Sequence, residues 1–267
     1  MYKIFLTVRN RLAITQKCIE SLQKHSAVPH QIYVYDNLTN YQLKEHFDYF
    51  NQLIKDKIIC QVTFNTNVST FNAFSKAVAC NQFGRLHEDD PNKNDCDFLL
   101  FLDNDIIVTP KFDEILSNAW RDIRKINNPN LKIITQCTQG GVMYQKNYNK
   151  KIAGFDTTTG THGGSGFWSI KSNFFSDIGY LDLNKLVNLN KKHDQHYWSM
   201  IQNKVNGNHY ILCLNHRLFY HMGITIGSVC NVLTKKRSNS LEEIKFINKD
   251  NEIKGQDFNT FYNNILK

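Results

Sequence analysis

Two aspartates one residue apart interrupt the run Phe98-Leu-Leu-Phe-Leu-Asp-Asn-Asp-Ile-Ile-Val108. An apolar stretch leads into Asp103-Asn104-Asp105 and another follows, so a buried strand carries both carboxylates to its exposed carboxyl end. In extended backbone, residues i and i+2 point the same way and sit about 6.5–7 Å apart. Two hard oxygen donors at that spacing can hold a divalent cation, directly or through water, and leave positions open for phosphate. A strand ending in an Asp/Asn turn accounts for the same residues without any metal.

Other chemistry-bearing residues recur at punctuation points. Asp36 closes Tyr33-Val-Tyr-Asp-Asn37 and can accept hydrogen bonds from a base or ribose, or simply form a turn. Arg9, in Thr7-Val-Arg-Asn-Arg11, can pair with phosphate through its forked donors or lie solvated on the surface. Gly163-Gly-Ser-Gly-Phe-Trp-Ser169 combines glycine freedom with Trp168, an indole suited to the apolar face of a sugar or to a core strand. His193-Asp-Gln-His-Tyr-Trp198 precedes a helix; Asp194 can be its N-cap or a general base worth about 10²–10⁴-fold in rate. His221, in Tyr220-His-Met-Gly223, can supply a third metal ligand or be structural.

The elements that must position these residues alternate. Residues 2–8 read as a strand, Leu12 to Lys24 as a helix, Gln31–Tyr35 as a strand, Asn40–Asp56 as a helix, and Lys57–Phe64 as a strand. A helix from Thr70 to Phe83 and an exposed connector over Gly84–Asp95 precede the aspartate-bearing strand. Such alternation specifies a parallel, doubly wound sheet, whose ligands bind at the carboxyl ends of the strands. Arg9, Asp36, Asn65 and Asp103 all fall at those ends. Beyond them, Pro110–Ile126 reads as a helix, Leu131–Thr135 as a strand and 138–166 as long loops. Phe167–Lys171 reads as a strand, Phe174–Ile178 and Gln195–Lys204 as helices, and His209–Leu214 as a late strand.

The chain has 267 residues, 41% of them apolar, which is enough for one α/β domain with a substantial core. No stretch approaches the roughly 18 apolar residues of a membrane span, and the opening Met1–Val8 is too short for a signal peptide. Seven cysteines without CxxC spacing argue against a disulfide framework or a zinc ribbon and for a reducing, cytoplasmic setting. A net charge of +8 favours anionic partners: a sugar nucleotide, a phospholipid surface or nucleic acid.

Taken in order, these motifs resemble the GT-A-fold glycosyltransferases of the family-2 type over residues 2–225. Leu6-Thr-Val-Arg-Asn-Arg11 with Cys18-Ile-Glu-Ser-Leu22 is similar to that family's first strand, turn and helix, and Tyr33–Asn37 to its second strand. Asn65-Thr-Asn-Val with Phe71-Asn-Ala-Phe-Ser-Lys-Ala77 resembles its third loop and helix, Asp103-Asn-Asp105 its D-x-D motif, and Gly166–Asp182 its acceptor stretch. His193-Asp194 stands where the family places an acidic pair, with His193 replacing one acid; Asn67 and Ser69 replace loop glycines.

The resemblance implies a GT-A (Rossmann-like) α/β fold, a mostly parallel sheet flanked by helices, with a C-terminal helical extension. Residues 1–234 would form the domain, 1–105 as nucleotide-binding half and 106–234 as acceptor half, with 235–267 as a tail. Thr7, Arg9, Asp36, Asn65, Asn72, Asp103 and Asn104 would contact a nucleoside diphosphate-sugar. Asp103, Asp105 and His221 would hold Mn2+ or Mg2+, Asp194 would be the base, and Gly164, Ser165, Trp168, His193 and His196 would meet the acceptor. The implied activity is sugar transfer from a UDP-sugar to a hydroxyl, with inversion. A glycan or lipid-linked glycan is the first acceptor class, with peripheral membrane contact compatible with the charge. Hydroxymethylated DNA bases form an alternative acceptor, to which Lys235-Lys-Arg237 and the lysines of 146–151 are suited. A non-catalytic nucleotide-sugar-binding module is the alternative of another class. A nucleotidyltransferase would carry a glycine-rich phosphate loop after the first strand, and Thr7–Arg11 has no glycine.

Overall fold

The computed structural model describes residues 1–9, 11–37, 43–65, 73–136, 146–161, 166–184, 193–205, 209–221 and 262–263, with backbone alone for 73–75 and 193–198. The first half alternates β1 (Tyr2–Val8), α1 (Leu12–His25), β2 (His30–Asn37), α2 (Leu43–Lys55), β3 (Gln61–Asn65), α3 (Ala73–Glu88) and β4 (Phe98–Asp103). There follow β5 (Ile106–Val108), α4 (Phe112–Ile126), β6 (Ile133–Gln136), β7 (Lys146–Asn147), β8 (Thr157–Gly160) and β9 (Phe167–Lys171). The described chain then runs through α5 (Phe174–Ile178), α6 (His193–Lys204), β10 (Ile211–Leu214) and β11 (Phe219–His221).

Among the described residues, nine strands form one sheet in the order β3-β2-β1-β4-β9-β6-β10-β8-β7. Strands β3, β2, β1 and β4 are mutually parallel, and only β9 and β8 run against the others. The chain winds outward from β1 to β3, then returns to place β4 on the other side of β1. That reversal leaves a crevice at the carboxyl ends of β1 and β4, where Thr7 lies directly opposite Asp103.

Alternation along each buried strand feeds two apolar layers. Ile4, Leu6, Leu100 and Leu102 pack with Cys18, Leu22, Phe50, Leu116 and Trp120, from the side of α1, α2 and α4. Phe5, Leu99 and Phe101 pack with Ala77, Cys80, Phe83, Phe175 and Ile201, from the side of α3, α5 and α6. Because both faces are covered, β4 reads as continuously apolar rather than alternating.

Three sequence expectations change here. The stretch 138–166, expected as long loops, contributes β7 and β8 to the edge of the sheet. Helix α3 does not stop at Phe83 but runs through Gly84 to Glu88, into the expected connector. A Cβ at Gly84 would lie 2.6 Å from the Phe175 ring and 2.8 Å from Tyr180, so this glycine admits close packing of α5 rather than breaking the helix. Asp103 and Asp105 are also not partners along one extended strand: β4 ends at Asp103, and a turn through Asn104-Asp105 leads into β5. The turn, not strand parity, sets their separation. Residues 235–261 of the expected tail, including Lys235–Arg237, lie outside the described residues. The side chain of Tyr262 is buried and donates a hydrogen bond to the carbonyl of Lys17 on α1 at 3.2 Å.

Candidate functional site

Asp103 continues the alternation of Leu99 and Phe101 and therefore emerges on the α3 side of the sheet crest. Its amide donates to Gly166 O at 2.9 Å, which ties the end of β4 to the start of β9. The Thr7 hydroxyl lies 3.0 Å from Leu102 O and 3.1 Å from Asp103 Oδ1. Lys76, from the first turn of α3, forms an ion pair with the same Oδ1. The other oxygen, Oδ2, is 3.5 Å from the point a Cβ on Gly166 would occupy, and His221 Nε2 is 3.3 Å from that point. A side chain at position 166, just before β9, would therefore crowd His221 and only touch Asp103.

Asp105 faces the α1 side. Its Oδ2 is 3.2 Å from Arg11 Nη1, and its Oδ1 is 3.2 Å from His221 Nε2. Arg11 precedes α1 in a left-handed conformation, φ 60° and ψ 48°, a backbone state that non-glycine residues adopt only when their surroundings hold them there. His221 reaches the site because β11 pairs antiparallel with β5, placing His221 opposite Ile106. The buried Gln136 at the end of β6 braces that strand. Its Oε1 accepts from the amides of Leu218 at 2.7 Å and Phe219 at 3.0 Å, and its Nε2 donates to Phe219 O at 3.0 Å.

Burial alone would push the Asp105 carboxyl up and the His221 imidazole down. Their mutual attraction reverses both, with Arg11 and Lys76 adding to it at Asp105. Asp105 is thereby held well below the usual carboxylate range, and His221 above the usual imidazole value. One ligand atom each from Asp103, Asp105 and His221 lies within 4.8 Å of the others. Two hard oxygen donors and an imidazole, with room ensured by Gly166, suit Mn2+ or Mg2+.

The other expected residues divide. Asp36 sits at the carboxyl end of β2, opposite Val8, but is 0% exposed. Its Oδ2 lies 2.6 Å from His46 Nδ1 on α2, while Oδ1 is buried with no hydrogen-bond partner among the described residues. Asn65 ends β3 and donates to Asn37 Oδ1 at 2.9 Å. Arg9 is half-buried directly after β1.

Asn104, expected at the nucleotide, is buried instead: its Nδ2 donates to Thr15 Oγ1 of α1 at 2.8 Å, and its amide to Thr7 O at 3.1 Å. The compact turn after β4 directs it into the molecule. Trp168, expected as an acceptor platform, is 2% exposed, with its ring 5.1 Å from that of Phe101 and 6.1 Å from that of Phe174. Position 168 faces the α3–α5 layer, so the indole is core. Asn72, Gly164 and Ser165 lie outside the described residues. His193, Asp194 and His196 fall in the first turn of α6, whose later residue Ile201 packs into the layer shared with α3 and α5.

Sequence reasoning missed three polar partners. Lys76 was legible as a cation in the opening turn of a helix, against the macrodipole. Arg11 stood next to the expected phosphate arginine, but nothing local marked its pairing with Asp105. His46 carried no signal beyond helical spacing.

No family model and no curated protein matches the sequence. Solved structures do. Over 82% of this chain the fold is similar to TarS from S. aureus, at TM-score 0.53 and 14% identity. Over the same share it is similar to GalNAc-T7, whose structure holds UDP, GalNAc and Mn2+, at TM-score 0.54 and 12% identity. Over 79% it is similar to the mannosyltransferase PcManGT from Pyrobaculum calidifontis, in complex with GDP-Man and Mn2+, at TM-score 0.50 and 10% identity. The chain spans 36%, 44% and 53% of those proteins, respectively. The fold is GT-A, an α/β sheet with helices on both faces.

Proposed function

We propose that this chain is a metal-dependent glycosyltransferase that moves a sugar from a nucleoside diphosphate-sugar, a UDP-sugar first, to a hydroxyl acceptor. The observation that carries the reading is the convergence of Asp103, Asp105 and His221 at the carboxyl end of β4, at the switch point of a GT-A sheet. The TarS, GalNAc-T7 and PcManGT structures support it, two of them with Mn2+ and a nucleotide. Asp103, Asp105 and His221 would hold Mn2+ or Mg2+, which supplies a Lewis-acid charge to the departing diphosphate. Arg9 is assigned to phosphate; Thr7 acts by holding Asp103 in place, and Asp36, fully buried against His46, is assigned to fixing the end of β2 rather than to the base or ribose.

Asp194 is assigned the base. It takes the proton of the acceptor hydroxyl, whose oxygen bonds to the anomeric carbon as the bond from that carbon to the diphosphate oxygen breaks on the opposite face, inverting the centre. The acceptor reading is a glycan or lipid-linked glycan. The buried free thiols Cys18, Cys80, Cys96 and Cys213 are compatible with a reducing, cytoplasmic setting. Among the described residues no helix is long and apolar enough to cross a membrane.

The test is thermal stabilisation by UDP-, GDP-, CMP- and dTDP-sugars with and without Mn2+. A Mn2+-dependent shift with one donor, lost in Asp103→Asn, supports the reading. No shift with any donor moves the assignment to a different ligand class. Asp194→Asn should bind donor and lose transfer, and unimpaired turnover would remove Asp194 as the base.

A further inference from the structure

We infer that Lys76 is a diphosphate ligand parked on Asp103, and that its transfer couples nucleotide binding to metal binding. The inference rests on the donor and metal reading above. Lys76 lies in the first turn of α3, a turn that contains no acidic residue. The aligned peptide dipoles there favour an anion and disfavour a cation. Asp103 is the countercharge that stabilises the lysine at that position. The helix itself is pinned, because Ala77, Ala79, Cys80 and Phe83 are buried beneath it. The ion pair is not: the Lys76 and Asp103 side chains remain 18% and 28% exposed, and a four-carbon stem can swing toward a ligand in the crevice.

Asp103 presents its two oxygens differently. Oδ1 carries both Lys76 and the Thr7 hydroxyl, whereas Oδ2 lies on the side of Gly166 and His221. Asp105 is likewise paired, with Arg11. Two carboxylates therefore already face two cations, and a dication arriving alone meets a neutral site. Arriving with a diphosphate, it brings its own countercharge. Lys76 then leaves Asp103 for a phosphate oxygen at the α3 N-terminus, where lysine, phosphate and helix dipole are all favourably placed. Metal and nucleotide should thus bind cooperatively, with Lys76 as the link.

The experiment is Mn2+ titration of the full chain by electron paramagnetic resonance of free Mn2+, with and without UDP, for wild type, Lys76→Met and Lys76→Arg. Circular dichroism and thermal midpoints verify folding. Wild type should bind Mn2+ weakly alone and about tenfold or more tighter with UDP. Lys76→Met should bind Mn2+ alone about tenfold tighter than wild type and lose most of the UDP effect, and Lys76→Arg should restore the coupling. Wild type that binds Mn2+ with UDP while Lys76→Met shows unchanged coupling overturns the role of Lys76 and leaves the glycosyltransferase reading intact. A chain that binds neither Mn2+ nor UDP in any variant overturns both. If Lys76→Met does not fold, Lys76→Arg and Lys76→Gln supply the comparison, and equal coupling in those two also overturns it.

Discussion

At Gly166 a hydrogen atom separates His221 from Asp103. An added Cβ would lie 3.2 Å from His221 Cε1, so Gly166→Ala displaces that candidate ligand by a few tenths of an ångström, while Asp103 Oδ2, at 3.5 Å, stays in ordinary contact and the core is not opened. We expect Mn2+ affinity to fall about tenfold or more while the thermal midpoint changes little, because a misplaced ligand costs a metal site far more than it costs the fold; titration and calorimetry on the same sample separate the two. Arg11 should behave in the opposite manner. Its guanidinium faces the buried Asp105, and Arg11→Ala leaves that carboxylate with the His221 imidazole as its remaining close partner. Breaking a buried pair in this way costs roughly 3–5 kcal/mol, which urea denaturation would register directly.

Elements carry the site as much as ligands do. Strand β11 is held by the buried amide of Gln136, which makes three hydrogen bonds to Leu218 and Phe219. Gln136→Leu strands those backbone groups at about 1–3 kcal/mol each, so it should lower stability and, by loosening β11, weaken the Mn2+-dependent shift as well. Helix α3 supplies a pH prediction. Burial, reinforced by Lys3, lowers the His87 imidazole below its ordinary value, and burial lowers His25 and His216 likewise. The unfolded chain takes up protons as pH falls through about 6.5, while the folded chain does not follow until lower pH. Stability present above that value is therefore lost on acidification. His221, held above its ordinary value, works in the opposite direction, so the test is the difference between proteins: the fall in urea midpoint from about pH 7.5 to 5.5 should be smaller in His87→Gln than in wild type.

Across the whole molecule, the reversal of strand order between β1 and β4 makes the crevice, and an apolar layer packs against each face of the sheet beneath it. Near the C-terminus, Tyr262 is buried against α1, where it accepts the Lys17 ammonium 4.6 Å above its ring. Removing that ring by Tyr262→Ala should cost about 3–5 kcal/mol, the range for a buried aromatic, with the loss read in the urea midpoint. The net charge of +8 acts at longer range. It predicts that association with an anionic ligand slows steeply as salt rises, read as the salt dependence of the on-rate.

Local order was decided by the sequence alone. The apolar runs and their spacing determined the β–α alternation, the strand ends bearing Asp36, Asn65 and Asp103, and hence the open α/β sheet, because side-chain periodicity reports burial directly. The family resemblance rested on that same order and named Asp103, Asp105 and His221 together. What required tertiary structure were contacts between residues far apart in the chain. The pairing of β11 with β5 is what carries His221 to Asp105, and α3 is what lays Lys76 on Asp103. The burial of Trp168 and the inward turn of Asn104 depend on what covers them, which no local pattern encodes. Gly84 shows the limit most plainly: its missing side chain looks like a helix stop in sequence, and only the ring of Phe175 packed against it explains why the helix continues.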